Sequence, residues 1–342
     1  MSRRGFLRSG LVAGVATVAP PGCSRRQEGG HPETSGSADE TPIGPRWWPS
    51  RWGANDEAGA SNWMTAGKIL AAARLIKTGK IYDIGRMYES QMPLVGGRSF
   101  DFRIKPLSPA AGKNQLVFSE EFLAGEIGQV GTQFDGLAHV ACQVGPPGNR
   151  DAVRYYNGFT QQDIADPSGF KKLGIEKVKP LFTRGIVVDV AGARGKMLEK
   201  GEEIKVAEIL TTLGRQGISE ESIAPGDAIF FNTGWGSLWK TDNARFLDGE
   251  PGIGLEVARW MIGKQVSVVG GDGWGVEVVP GHDPEHTAPV HHELITKHGI
   301  FLHEALDFTD LLKDRVYEFV YVFAPLRIRG ATGSPGRPLA IA

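Results

Sequence analysis

Gly185-Ile186-Val187-Val188-Asp189-Val190, Ala228-Ile229-Phe230-Phe231 and Val266-Ser267-Val268-Val269 are three short apolar runs set off by glycine or proline. Runs of this length, rich in β-branched and aromatic residues and lacking in/out alternation, read as strands covered on both faces. Helical spacing appears between them, over Val206 to Arg215 and Gly254 to Gly263, and Tyr317 to Ala324 reads as a further strand. That order is mixed α/β with an enclosed sheet. Upstream, Trp47, Trp48, Trp52 and Trp63 crowd the start of the body. Ile69, Leu70, Ala73 and Leu75-Ile76 then recur at helical spacing, predicting one amphipathic helix over Ala66 to Lys77, closed by Gly79. No repeat of roughly 20 to 50 residues is present, which excludes solenoids and propellers.

The 342 residues carry 38 Lys+Arg against 39 Asp+Glu, a net charge of -1, so no basic face is available to neutralise nucleic-acid phosphates. With 41% hydrophobic residues the chain can bury a sizeable core and reads as a small-molecule protein. The 47 glycines lower the helix expectation.

Ser2-Arg3-Arg4-Gly5-Phe6-Leu7, followed by the short apolar run Leu11 to Ala19, reads as a twin-arginine export signal over residues 1–23. The run is far short of the roughly 20 residues a bilayer span needs, so no transmembrane span is expected. The location implied is periplasmic or extracytoplasmic. Cys23 is a candidate lipid acceptor, although Pro20-Pro21 makes a poor lipidation box. Residues 24–45, rich in Gly, Ser, Pro, Thr and Glu, read as a disordered linker. Residues 46–342 form the body and contain one cysteine, Cys142, so no intrachain disulfide can form there. Cys142 reads as a small buried thiol, since no histidine-cysteine signature surrounds it.

Several familiar sites are excluded. No Gly-x-Ser-x-Gly elbow occurs. Gly270-Gly271-Asp272-Gly273-Trp274-Gly275 fails the dinucleotide spacing, and no helix pattern follows it. His282-Asp283-Pro284-Glu285-His286 has the outer spacing of a zinc-protease helix, but Pro284 would break that helix, so a loop is expected. Gly128 to His139 is different. Gln129, Gln133, Asp135 and His139 share one parity, and in an extended chain they would share one face. Carboxylate, imidazole and amide converging in this way can hold a metal or position a water. The bland alternative is an Asp-Gly turn beside a satisfied histidine. Six of the eight histidines fall between His282 and His303, with Pro289-Val-His291-His292-Glu293 reading as a helix start and Gly299 to Glu304 as a strand ending in an acid. A metal site needs only two or three imidazoles, and spacing does not choose among the six.

Six stretches together resemble the kynurenine formamidase/cyclase family of metal-dependent hydrolases: Trp52 to Glu57 (WGANDE), GTQFDGLAH from Gly131, RGIVVDV from Arg184, PGDAIFFNTGW from Pro225, GWGVEVVPG from Gly273 and VYEFVYVFAPLRIRGATGSP from Val316. The resemblance implies a swivelling β/β/α domain, a central mixed sheet or barrel flanked by helices, assembled as a homodimer or homotetramer. It also implies a divalent metal, zinc or manganese, held by Asp135, His291 and Glu304. His139 would be the acid/base and His292 the runner-up to His291. Gln129 and Gln133 stand where the best-known form of the family has metal-binding histidines, as in a longer-chain branch with glutamine there. These two are weaker candidate ligands, because an amide donates no anionic charge. The reaction implied is hydrolysis of a small amide or lactone. Arylformamides are the reference substrate, but export fits poorly with cytosolic tryptophan breakdown. Trp235, Trp239 and Trp274 are candidate substrate walls, with core packing as the alternative. Two other readings stand beside the hydrolase: an exported binding protein that lost catalysis, and a cyclase or lyase using the same site.

Overall fold

The computed structural model describes residues 40–342; the expected signal segment, Cys23 and most of the expected linker lie outside the described residues. Glu40–Thr41 pairs antiparallel with Gly44–Pro45, so the last residues of the span expected to be linker carry a short two-stranded element.

Nine strands make the central sheet: β1 (Ile81–Asp83), β2 (Gln133–Asp135), β3 (Leu181–Asp189), β4 (Ala228–Asn232), β5 (Val268–Gly271), β6 (Phe301–Glu304), β7 (Glu318–Phe323), β8 (Gly333–Pro335) and β9 (Leu339–Ile341). Their spatial order is β8-β2-β6-β5-β4-β3-β7-β9-β1. The four central strands, β6, β5, β4 and β3, run parallel, and all flanking pairs are antiparallel. The sheet curls into a half-barrel flanked by helices, the mixed architecture expected from the apolar runs. Those runs are buried because both faces are covered: Ile186, Val187, Val188, Ile229, Phe230, Val268 and Val269 are all inaccessible to solvent.

Three helices frame the sheet: α1 (Ala66–Ala73), α2 (Val206–Arg215) and α3 (Leu255–Lys264). In α2, Ile209 and Leu213 face the core four residues apart, and in α3 Val257 and Met261 do the same. Helix α1 differs from expectation. It ends at Ala73 instead of Lys77, and Ile69 and Leu70 stay exposed while Ala72 is its one buried residue.

A separate two-stranded hairpin pairs Phe100–Ile104 with Glu121–Gly125. Phe102, Ile104, Phe122 and Leu123 on it are exposed, as are Leu107, Leu116, Val117 and Phe118 in its connection. Among the described residues no helix is long and apolar enough to cross a membrane.

Candidate functional site

Register between neighbouring strands assembles the centre of the site. On β2, Gln133 and Asp135 point to one face, and the antiparallel pairing of β2 with β6 sets Gln133 directly opposite Glu304. Gln133 Nε2 accordingly donates to Glu304 Oε2 and, at 3.0 Å, to Asp135 Oδ1. The strand does not continue across the whole motif as the shared parity suggested. Gly131 lies at φ +62°, where a Cβ would meet the Tyr88 ring at 2.7 Å, and the chain turns again at Gly136, whose carbonyl accepts from His139 N at 3.1 Å. Turns, not a continuous strand, therefore bring Gln129 and His139 over the same centre. Gln129 Nε2 donates to Asp135 Oδ1 at 3.0 Å and to His139 Nδ1 at 3.1 Å.

His291 arrives from another element. Pro289–His291 opens as a turn of α-helix and continues as a π-helical stretch over His292–Lys297, a distortion often found at functional sites. There His291 Nε2 lies 3.7 Å from Asp135 Oδ2 and 3.5 Å from Glu304 Oε1. His292 points elsewhere, with its Nε2 3.1 Å from the Ala141 carbonyl. Of the other clustered histidines, His282 and His286 sit on an exposed loop against Glu203 and Asp283, as Pro284 suggested. His303 is fully buried against the Tyr321 hydroxyl, and burial pulls its pKa down to about 3, so it stays neutral.

The hydrogen bonds leave a consistent set of acceptor oxygens free. Both amides are spent on Asp135 Oδ1, whereas Asp135 Oδ2 and Gln133 Oε1 are buried with no partner. Glu304 uses Oε2 on Gln133 and turns Oε1 toward His291. Ligand atoms of Asp135, His139 and His291 all lie within 4.8 Å of one another. An orphaned buried carboxylate oxygen 3.7 Å from an imidazole nitrogen is what a divalent cation satisfies, and a mixed N/O set suits zinc or manganese. The electrostatics agree. Burial and the neighbouring Asp135 push the Glu304 carboxyl up to about 7, against the opposing pull of His291 and Gln133. Burial alone would lower His291, but its contacts with Glu277 and Glu304 outweigh this and hold it well above the ordinary imidazole range. Positive charge is favoured at this spot, whether as a proton or as a metal ion.

Glu277 was not anticipated from the sequence. Its carboxylate bonds His291 Nδ1 and accepts from Val290 N at 3.1 Å, and it is only 4% exposed. One signal was available: a lone acid inside Val276-Glu277-Val278-Val279. Glu250 was missed as well. Fully buried, it accepts from the backbone N–H of Trp274 and of Gly275, and burial followed by the nearby Glu304 raises its pKa well above the carboxylate range.

A cavity of about 260 Å³ opens over Gln129, Gln133, His139, His291 and Glu304. Trp239, Phe246 and Trp274 form its aromatic wall. Trp235, expected beside Trp274, is 1% exposed and packs with Leu238 and Phe246, its indole N–H donating to the Phe246 carbonyl at 3.2 Å. That tryptophan is core, and Trp239 takes the wall position. Cys142 is buried and burial raises its thiol pKa, the inert state expected of it.

Comparison with known proteins supports this reading of the architecture. A solved structure described as a novel cyclase is 30% identical, covering 85% of this chain and 96% of that one with a TM-score of 0.73. Isatin hydrolase A from Ralstonia solanacearum is 22% identical over 81% of this chain and 97% of its own, with a TM-score of 0.55. Isatin hydrolase A from Labrenzia aggregata, bound to benzyl benzoate, is 20% identical over 76% and 93%, also with a TM-score of 0.55. These two share the fold. No curated protein matches the chain in sequence. The family model described as "Putative cyclase" matches residues 82–278, more than half of the chain, spanning the strand that carries Gln133 and Asp135 and the loop that carries Trp274 and Glu277. On that match and the 30% identity across most of its length, the chain belongs to the cyclase family.

Proposed function

We propose that this protein is a metal-dependent hydrolase of a small amide or lactone, exported from the cytoplasm. The carrying observation is the set of committed and free atoms around one point: Asp135 Oδ2, buried without a partner, lies 3.7 Å from His291 Nε2, which is itself 3.5 Å from Glu304 Oε1. Asp135, His291 and Glu304 would hold the metal, with Gln133 Oε1 beside them. A divalent ion there supplies Lewis-acid chemistry, polarising a substrate carbonyl and making water more acidic.

The rest is the work of the chain's own groups. Glu277 accepts at His291 Nδ1 and so leaves Nε2 facing the site. Gln129 donates to His139 Nδ1, and turning its amide over would set its oxygen against Asp135 Oδ1. A neutral His139 held this way carries its proton on Nε2, 3.7 Å from Asp135 Oδ1. In turnover His139 would first take a proton from the attacking water and then return one from Nε2 to the departing amine or alkoxide, so that the ring ends as it began. Trp239, Phe246 and Trp274 suit a planar or aromatic substrate and keep bulk water from the reacting carbonyl. Cyclic amides of the kind for which isatin hydrolase is named are thus among the first compounds to test. The exposed apolar side chains of the Phe100–Gly125 hairpin support self-association as a homodimer or homotetramer.

The test is metal content by mass spectrometry, alongside turnover of formanilide and isatin, in wild type and in a His291→Ala/Glu304→Ala double variant. Near-stoichiometric metal and turnover, both lost in the double variant, are expected. Metal-independent turnover would overturn the mechanism. Capture of ligand without product would favour an exported binding protein, and product lacking one added water a cyclase or lyase.

A further inference from the structure

Trp274, Gly275, Ala288 and His291 line not one cavity but two, the second of about 510 Å³. Its remaining walls are mostly apolar, from Val278, Val279, Pro280 and Pro284. The acids that reach it are already paired. Glu277 is spent on His291 and the Val290 N–H, and Asp283 on His286 and the Glu285 N–H. A chamber of this kind rewards an uncharged apolar guest, because a charge buried there would find no free partner.

Besides His291 Nε2, a further polar atom at the junction is free. Trp274 Nε1 is buried and has no hydrogen-bond partner, although the backbone of the same residue is pinned by Glu250. Gly273 fits over that carboxylate only because it lacks a Cβ, which would stand 2.2 Å from Glu250 Oε2. The indole is therefore held between two cavities with its N–H unpaired, a donor that an acceptor oxygen from a bound guest would satisfy.

We infer that the second chamber is a subsite for an apolar, uncharged limb of the substrate, an alkyl or acyl chain, whose carbonyl oxygen accepts from Trp274 Nε1–H at the junction. The preferred substrates are then N-acyl amides or alkyl-bearing lactones longer than formyl compounds. This rests on the proposed hydrolase only in taking the carbonyl as the reacting group.

The experiment is isothermal titration of the purified protein, metal included, with straight-chain primary amides from acetamide to octanamide, and ammonia release followed in parallel. Affinity should rise about fourfold per added methylene until the chamber is full. Thr287→Trp and Gly281→Phe, at exposed positions bordering the chamber, should flatten that slope; an added Cβ at Gly281 meets only the Val278 carbonyl, at 3.9 Å. Trp274→Phe should weaken every member about fivefold and leave the slope intact. Binding indifferent to chain length, a slope unchanged in both filled variants, or no binding of any amide would overturn the inference. A chain-length slope without ammonia, and with no turnover of formanilide or isatin, would keep the subsite and refute the hydrolase. Equal ammonia release from acetamide and octanamide would keep the hydrolase and refute the subsite.

Discussion

Glu277→Gln isolates what holds His291 in place. Glutamine keeps the volume and one acceptor oxygen, so His291 Nδ1–H retains a partner while the charge is lost. Removing a carboxylate that orients a metal-ligating histidine costs 10- to 100-fold in metal affinity, about 1.4 to 2.7 kcal/mol. Glu277 sits at the strong end of that range by its surroundings, since it is 4% exposed and also accepts from Val290 N at 3.1 Å. In the metal-free protein the change replaces charge-assisted bonds with neutral ones, a loss of about 1 kcal/mol, or about 2 °C in Tm. Titration with manganese or zinc against the melting temperature of the metal-free protein separates the two effects. A large drop in affinity with a small shift in melting is expected. Metal affinity equal to wild type in a folded Glu277→Gln protein would refute the role assigned to this carboxylate.

Other expectations are as direct. Asp135→Asn should abolish turnover and sharply weaken metal binding while leaving the fold intact, read by mass spectrometry and circular dichroism; unchanged activity would sink the hydrolase. His139→Ala should keep its metal and lose a factor of about 10² to 10⁴ in turnover. Loss of metal instead would make His139 a ligand, as its place within 4.8 Å of Asp135 and His291 allows. His303 makes an acid limb of stability. Its pKa falls from 6.5 to about 3 on burial, so the unfolded chain binds more protons between those values, and stability drains as pH falls below 6.5. The slope is about 1.4 kcal/mol per pH unit, hence about 2 kcal/mol by pH 5, and urea unfolding of His303→Gln should show a shallower acid limb. Finally, Phe102→Ser with Phe122→Ser on the exposed hairpin should lower the oligomeric state in light scattering; an unchanged mass would remove the hairpin from the interface.

The parallel strands were legible because nothing else explains their composition. Ile186 to Val188, Ala228 to Phe231 and Val268-Val269 are apolar at consecutive positions, which only a strand covered on both faces requires. Helix α2 was legible to the residue, because Ile209 and Leu213 repeat at the helical period. In helix α1 the apolar pattern outruns the helix: Leu75-Ile76 continues it but lies beyond Ala73, where the helix ends. Parity found Gln133 and Asp135, whose strand is real, and grouped Gln129 and His139 with them although turns bring those two in. Trp235 and Trp239 could not be told apart, since both lie near one Gly-rich loop and the difference between core and wall is a matter of which side the backbone turns.

Local sequence determined the elements and the kinds of donor available, because propensity and periodicity act over a few residues. Tertiary structure decided the site. Gln133 faces Glu304 through β-sheet register across 171 positions, and His291 instead of His292 meets Asp135 because the helix start fixes the direction of each side chain. Glu277 and Glu250 acquired their roles only by burial, which removes water and leaves each carboxylate to the nearest N–H. Such choices depend on distances between elements remote in sequence, and no local pattern encodes those.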